Sequence, residues 1–86
     1  MMHIEATDTF IKLFRKLPSD IKDRTKKALM ILAEDPDYPS LGHKKMAGHS
    51  DIFELRVSQN YRITYQKVGD TAYLRKIGTH NLLRNP

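Results

Sequence analysis

The residues able to do chemistry are concentrated in the second half of this 86-residue chain. Lys44, Lys45, Arg56, Arg62, Arg75 and Arg84 lie there, with Tyr61, Tyr73 and, directly after Gly78-Thr79, His80. Arginine forks grip phosphate bidentately, lysine supplies compact positive charge, and histidine moves protons near neutral pH. Together these types fit acid–base work beside a phosphate, with cations stabilising charge that develops in the transition state. Residues 1–40 hold seven Lys/Arg and seven Asp/Glu, and residues 41–86 hold eight against three, so the whole net charge of +5 falls in the second stretch. Charge localised in this way attracts a polyanion more strongly than the same charge spread evenly. Nucleic acid is therefore the first partner to consider.

Other chemistries find little support. The chain has no cysteine, so a disulfide, a thiolate zinc site and a cysteine nucleophile are excluded. The four histidines are separated by 40, 6 and 31 positions, which is not the spacing of a compact metal site, and neither a metal nor another cofactor is expected. Ser40, Ser50 and Ser58 sit in turn-like stretches without a nucleophile elbow, and Gly48 and Gly78 are isolated rather than part of a phosphate cradle. No apolar run approaches the roughly 20 residues that cross a bilayer, and Met-Met-His-Ile-Glu does not read as a signal peptide. A cytoplasmic protein is the expectation.

The elements that position these residues follow from two hydrophobic periods. His3 to Ala6 fits a short first strand, after which Thr7 or Asp8 caps a helix burying Phe10, Leu13, Phe14 and Leu17. Pro18 stops that helix. Ser19 is placed to cap a second, running from about Asp20 to Glu34 and burying Ile21, Ala28, Leu29 and Leu32, with Thr25 or Ile31 at the margin. Asp35 to Ser40 is a loop, and His43 to Met46 a weak strand. Ile52–Val57, Tyr61–Lys67 and Thr71–Ile77 alternate with period two and are joined by tight turns, so they form an antiparallel meander. The whole, residues 1–86, reads as a single α+β domain: a short N-terminal strand and an antiparallel helical hairpin packed on one face of an antiparallel sheet. Alternation sends Phe53, Leu55, Ile63, Tyr65 and Leu74 toward the helices, and places Arg56, Arg62, Arg75 and Tyr73 together on the opposite face. Taken singly, each cation has a plainer account. Arg62 could pair with Glu54 across the sheet, Arg56 with Asp51 or Glu54, and Lys44-Lys45 could merely guard a sheet edge.

The order helix, Leu-Pro, helix, Asp-Pro, then Lys45-Met46-Ala47-Gly48, Phe53-Glu54-Leu55-Arg56-Val57, Asn60-Tyr61-Arg62-Ile63-Thr64-Tyr65 and Ile77-Gly78-Thr79-His80 resembles the RelE/ParE toxin superfamily over nearly the whole chain. The closing Gly-Thr-His is most similar to the YafQ and YoeB branches. The resemblance implies the toxin of a type II toxin–antitoxin pair that cleaves mRNA on the ribosome without metal, inhibits translation, and is neutralised by a cognate antitoxin in a hetero-oligomer. It implies a catalytic set of His80, Arg62, Arg56 and Lys44, with His80 in proton transfer and Arg62 at the scissile phosphate. Lys45, Tyr61, Tyr73, Arg75 and Arg84 would bind substrate. Two alternatives belong to other classes: a ParE-like inhibitor of DNA gyrase acting by protein binding, and a non-catalytic RNA- or ribosome-binding module.

Overall fold

Apolar spacings of three and four in the first half of the chain, and of two in the second, produce a helical pair on one face of a sheet. The computed structural model describes residues 1–86, apart from the side chain of Leu83. Strand β1 (His3–Ala6) leads into helices α1 (Asp8–Arg15) and α2 (Ser19–Glu34), followed by β2 (Lys44–Lys45), β3 (Ile52–Arg56), β4 (Arg62–Val68) and β5 (Thr71–Gly78). The sheet order is β1-β5-β4-β3-β2. The meander is antiparallel, while β1 runs parallel to β5 because the helical hairpin carries the chain across one face before the sheet resumes. Among the described residues, no helix is long and apolar enough to cross a membrane.

Thr7 caps α1. Its hydroxyl accepts from the Phe10 N–H at 3.2 Å and donates to the Leu74 carbonyl at 2.7 Å, which ties the helix start to β5. The second cap differs from expectation: Ser19 is already helical, Pro18 precedes it, and no side chain bonds the helix start. Helix α2 buries Ile21, Thr25, Ala28 and Leu32, so Thr25 belongs to the core rather than its margin, and Leu29 is only partly buried. Thr25 is tolerated there because its hydroxyl donates to the Ile21 carbonyl at 2.7 Å. Leu32, Leu55, Ile63, Tyr65 and Ala72 are fully enclosed between the layers.

A structural histidine closes the loop before β2. The Nδ1 of His43 bonds the Pro36 carbonyl at 3.1 Å, and its Nε2 meets the Tyr65 hydroxyl. A carbonyl only accepts, so Nδ1 donates to Pro36, and Nε2 is left to share a hydrogen bond with the Tyr65 hydroxyl. The rings of His43, Phe53 and Tyr65 pack with centroids 5.1–5.5 Å apart. Burial, with the charge of Asp37 adding to it, pushes the Tyr65 phenol up to about 12. In the unfolded chain it ionises near 10, so below pH 10 Tyr65 is neutral in both states and adds no pH dependence. Between about pH 10 and 12 the unfolded chain loses its proton first, and stability falls by roughly 2–3 kcal/mol. Denaturant melts across this range should show a steeper loss in the wild type than in Tyr65→Phe. Parallel slopes would mean that this phenol is not held neutral by the fold.

Candidate active site

The open face of the sheet is built in rows set by strand register. Arg56 stands directly opposite Arg62, and Arg62 opposite Gly78. On the other side of Arg56 lies Gly42, at a φ of +52°, where a Cβ would come within 3.4 Å of the Arg56 Cβ. The row therefore carries two arginines between two glycines. Like charges directly opposed across a ladder repel. His80 begins a short 3-10 turn (His80–Arg84) two residues beyond Gly78 and is exposed.

Arg62 is less mobile than a surface strand arginine. Its NH1 group donates to the carbonyls of Ser58, Gln59 and Tyr61, all in the β3–β4 turn. All three bonds use one nitrogen, which leaves the Nε and NH2 edge for a bidentate anion contact. The expected cross-strand pairing with Glu54 gives way to these carbonyls because Glu54 lies one row along, opposite Thr64. Asp51 is likewise taken, accepting from the Gln66 amide at 2.7 Å. Tyr61 sits half-buried in the same turn, and its carbonyl accepts from the Val57 N–H at 3.0 Å.

The grouping expected on this face is divided by the C-terminal segment, which lies across it. The Pro86 carbonyl accepts from the Thr64 hydroxyl at 2.9 Å and from Arg75 Nε at 3.1 Å, and Lys76 donates to the Asn85 carbonyl at 2.7 Å. Thr64 and Pro86 are buried beneath and within this cover. Arg75 is the extra residue of a bulge: Thr64 pairs with Lys76 and Tyr65 with Leu74, so β5 loses its strict alternation there. Tyr73 pairs with Gln66, four residues along β4 from Arg62, or about 13 Å. Arg75, Lys76 and Arg84 instead surround a cleft of about 250 Å³ at the tail. Arg56 and Arg62 thus form one cluster, and Arg75, Arg84 and Tyr73 lie apart from it. Lys44 and Lys45 also separate. Lys44 pairs with Glu54 on the open face, whereas Lys45 pairs with Phe53 on the helix side.

The RelE-like arrangement is visible in solved structures. The Methanococcus jannaschii RelB–RelE antitoxin–toxin complex matches with a TM-score of 0.78 at 23% identity, covering 94% of this chain and 95% of that chain. YafQ from Escherichia coli matches with a TM-score of 0.75 at 15% identity, covering 96% and 98%. The intact E. coli RelBE toxin–antitoxin complex matches at 0.75 and 23% identity, covering 92% and 96%. The fold is RelE-like. No family model and no curated protein sequence matches the chain.

Within this RelE-like fold, one residue of the face, offered by the sequence only as an ion-pair partner for Arg62 or Arg56, makes neither pairing. Glu54 lies between Lys44 and Thr64 in register, and its Oε2 is buried without a hydrogen-bond partner among the described residues. An unpartnered buried carboxylate oxygen is costly to the fold. The signal was available in the strand pattern, where Glu54 interrupts Ile52-Phe53 and Leu55.

Proposed function

We propose that this protein is the toxin of a toxin–antitoxin pair and an endoribonuclease that cleaves mRNA on the ribosome. The observation that carries the reading is the Arg56–Arg62 row, flanked by glycines and ending at the strand that leads to His80. Two opposed arginines are relieved by an anion bridging them, and the RNA phosphodiester is such an anion. In the reaction, a ribose 2′-oxygen attacks the adjacent phosphorus as the 2′-OH gives up its proton. The bond to the 5′-oxygen breaks, leaving a 2′,3′-cyclic phosphate and a 5′-OH end. Arg62, with Arg56, stabilises the charge gathered on the phosphoryl oxygens. His80 moves a proton at the 2′-OH or at the leaving oxygen, and Lys44 assists. Lys44 holds positive charge beside Glu54. Tyr61, Tyr73, Arg75 and Arg84 lie along the RNA rather than at the reacting phosphate, and Lys45, on the helix side of the edge strand, is set apart from that path. No metal ion enters this scheme. The surrounding ribosome supplies much of the substrate alignment, which suits so shallow a face.

A cognate antitoxin protein is the proposed second partner. The RelB–RelE complexes among the solved neighbours support it, as does the basic second half of the chain, which would speed association with an acidic partner. Induced expression followed by mapping of mRNA ends tests the enzyme reading: new 2′,3′-cyclic phosphate ends within translated frames are expected. Growth arrest with intact mRNA and blocked DNA supercoiling would select gyrase inhibition instead. RNA binding without new ends would select a non-catalytic module.

A further inference from the structure

Helix α2 and the end of β3 enclose a second basic site, set off from the tail. A cleft of about 460 Å³ is lined by Arg24, Lys27, Arg56 and Ser40 over an apolar floor that includes Ile31 and Leu41. No carboxylate is among its described lining residues. The cations come from two elements: Arg24 and Lys27 stand three residues apart on one face of α2, and Arg56 arrives from the sheet. Charges of one sign in a concave wall focus field and concentrate a counter-ion. Three cations beside one hydroxyl donor match a phosphate group, and the apolar floor matches the sugar or base attached to it.

Arg56 belongs both to this cleft and to the row with Arg62. We propose that the cleft holds a backbone phosphate of the RNA strand neighbouring the one cleaved, so that Arg56 spans two consecutive subsites. The inference rests on the endoribonuclease reading and extends it to a binding register. It also brings in Arg24 and Lys27, from the half of the chain whose formal charge is zero.

The test uses Arg24→Ala/Lys27→Ala, two exposed positions where alanine suits a helix, with a thermal melt to check the fold. The probe is a short single-stranded RNA with 2′-O-methyl at every ribose, which cannot be cut. Titrated into isotope-labelled wild-type protein, it should shift the amide signals of Ser40, Gly42 and Arg56. The double variant should bind it about tenfold more weakly at low salt. Its plot of log affinity against log salt should be shallower by about 0.7, the share of one neutralised phosphate on a single strand. Unchanged affinity and slope, shifts that bypass the cleft, or no binding by the wild type would overturn the proposal. So would inorganic phosphate binding the cleft as tightly as the RNA does. End mapping on the wild type is read separately. Cleavage with an indifferent double variant rejects the cleft alone, whereas cleft binding without cyclic-phosphate ends rejects the enzyme reading alone.

Discussion

His80→Ala is expected to lower the rate of mRNA cleavage by about 10²–10⁴ and to leave the melting temperature essentially where it is. The two halves of that expectation have separate causes. A positioned proton-transfer group contributes this much only when it acts in the transition state. The ring is exposed at the start of the 3-10 turn, where Thr79 forms the N-cap with its backbone rather than through a side-chain bond. Surface changes of this kind usually alter stability by no more than about 0.5 kcal/mol. A pH–rate profile sharpens the test, because the variant should lose one limb while the other persists. Cleavage at the wild-type rate by His80→Ala would remove it from proton transfer and move the role to Lys44, Lys45 or another base. Lost cleavage together with a collapsed melt would mean that the ring is structural.

The parts of this molecule legible in its sequence are those decided locally. The spacing of Phe10, Leu13 and Phe14 required a helix, and Thr7 was a sufficient start signal, but the helix ends at Arg15, short of Leu17, and of the four apolar residues only Phe10 is fully buried. The three meander strands followed from alternation and short turns. What stayed hidden depends on non-local placement. A single bulge residue, Arg75, breaks the alternation of β5, and no pattern of residue types marks it. The C-terminal segment returns across the sheet through bonds from Thr64, Arg75 and Lys76 to backbone carbonyls, a contact that composition cannot announce. His43 read only as the start of a weak strand, yet its ring is held between Pro36 and Tyr65. Splitting the charge by chain half also concealed Arg24 and Lys27, which the fold brings to Arg56. The arginine row was half legible: strand alternation put Arg56 and Arg62 on one face, but only the register made them direct opposites.

Arg62→Ala is expected to cost both activity and stability, unlike the histidine change. On the outer face of a strand, arginine would be a replaceable surface residue. Here its NH1 satisfies the carbonyls of Ser58, Gln59 and Tyr61, and the side chain is half-buried against the turn. Truncation leaves the Ser58 and Gln59 carbonyls to water or to nothing, while the Tyr61 carbonyl keeps the Val57 N–H, at a cost of roughly 1–3 kcal/mol. Loss of the phosphate contact should lower cleavage by about 10²–10³ at temperatures where the variant remains folded. Arg62→Lys separates the two effects. A lysine ammonium can still reach turn carbonyls and so recover part of the melt, but it cannot bond the turn and grip a phosphate bidentately at once. Cleavage by the lysine variant should therefore stay near the alanine level while its stability moves toward wild type. If the lysine variant cleaves at the full rate, bidentate clamping is not what Arg62 does. If both variants cleave normally and only melt early, Arg62 is a turn brace, and the anion-binding role passes to Arg56.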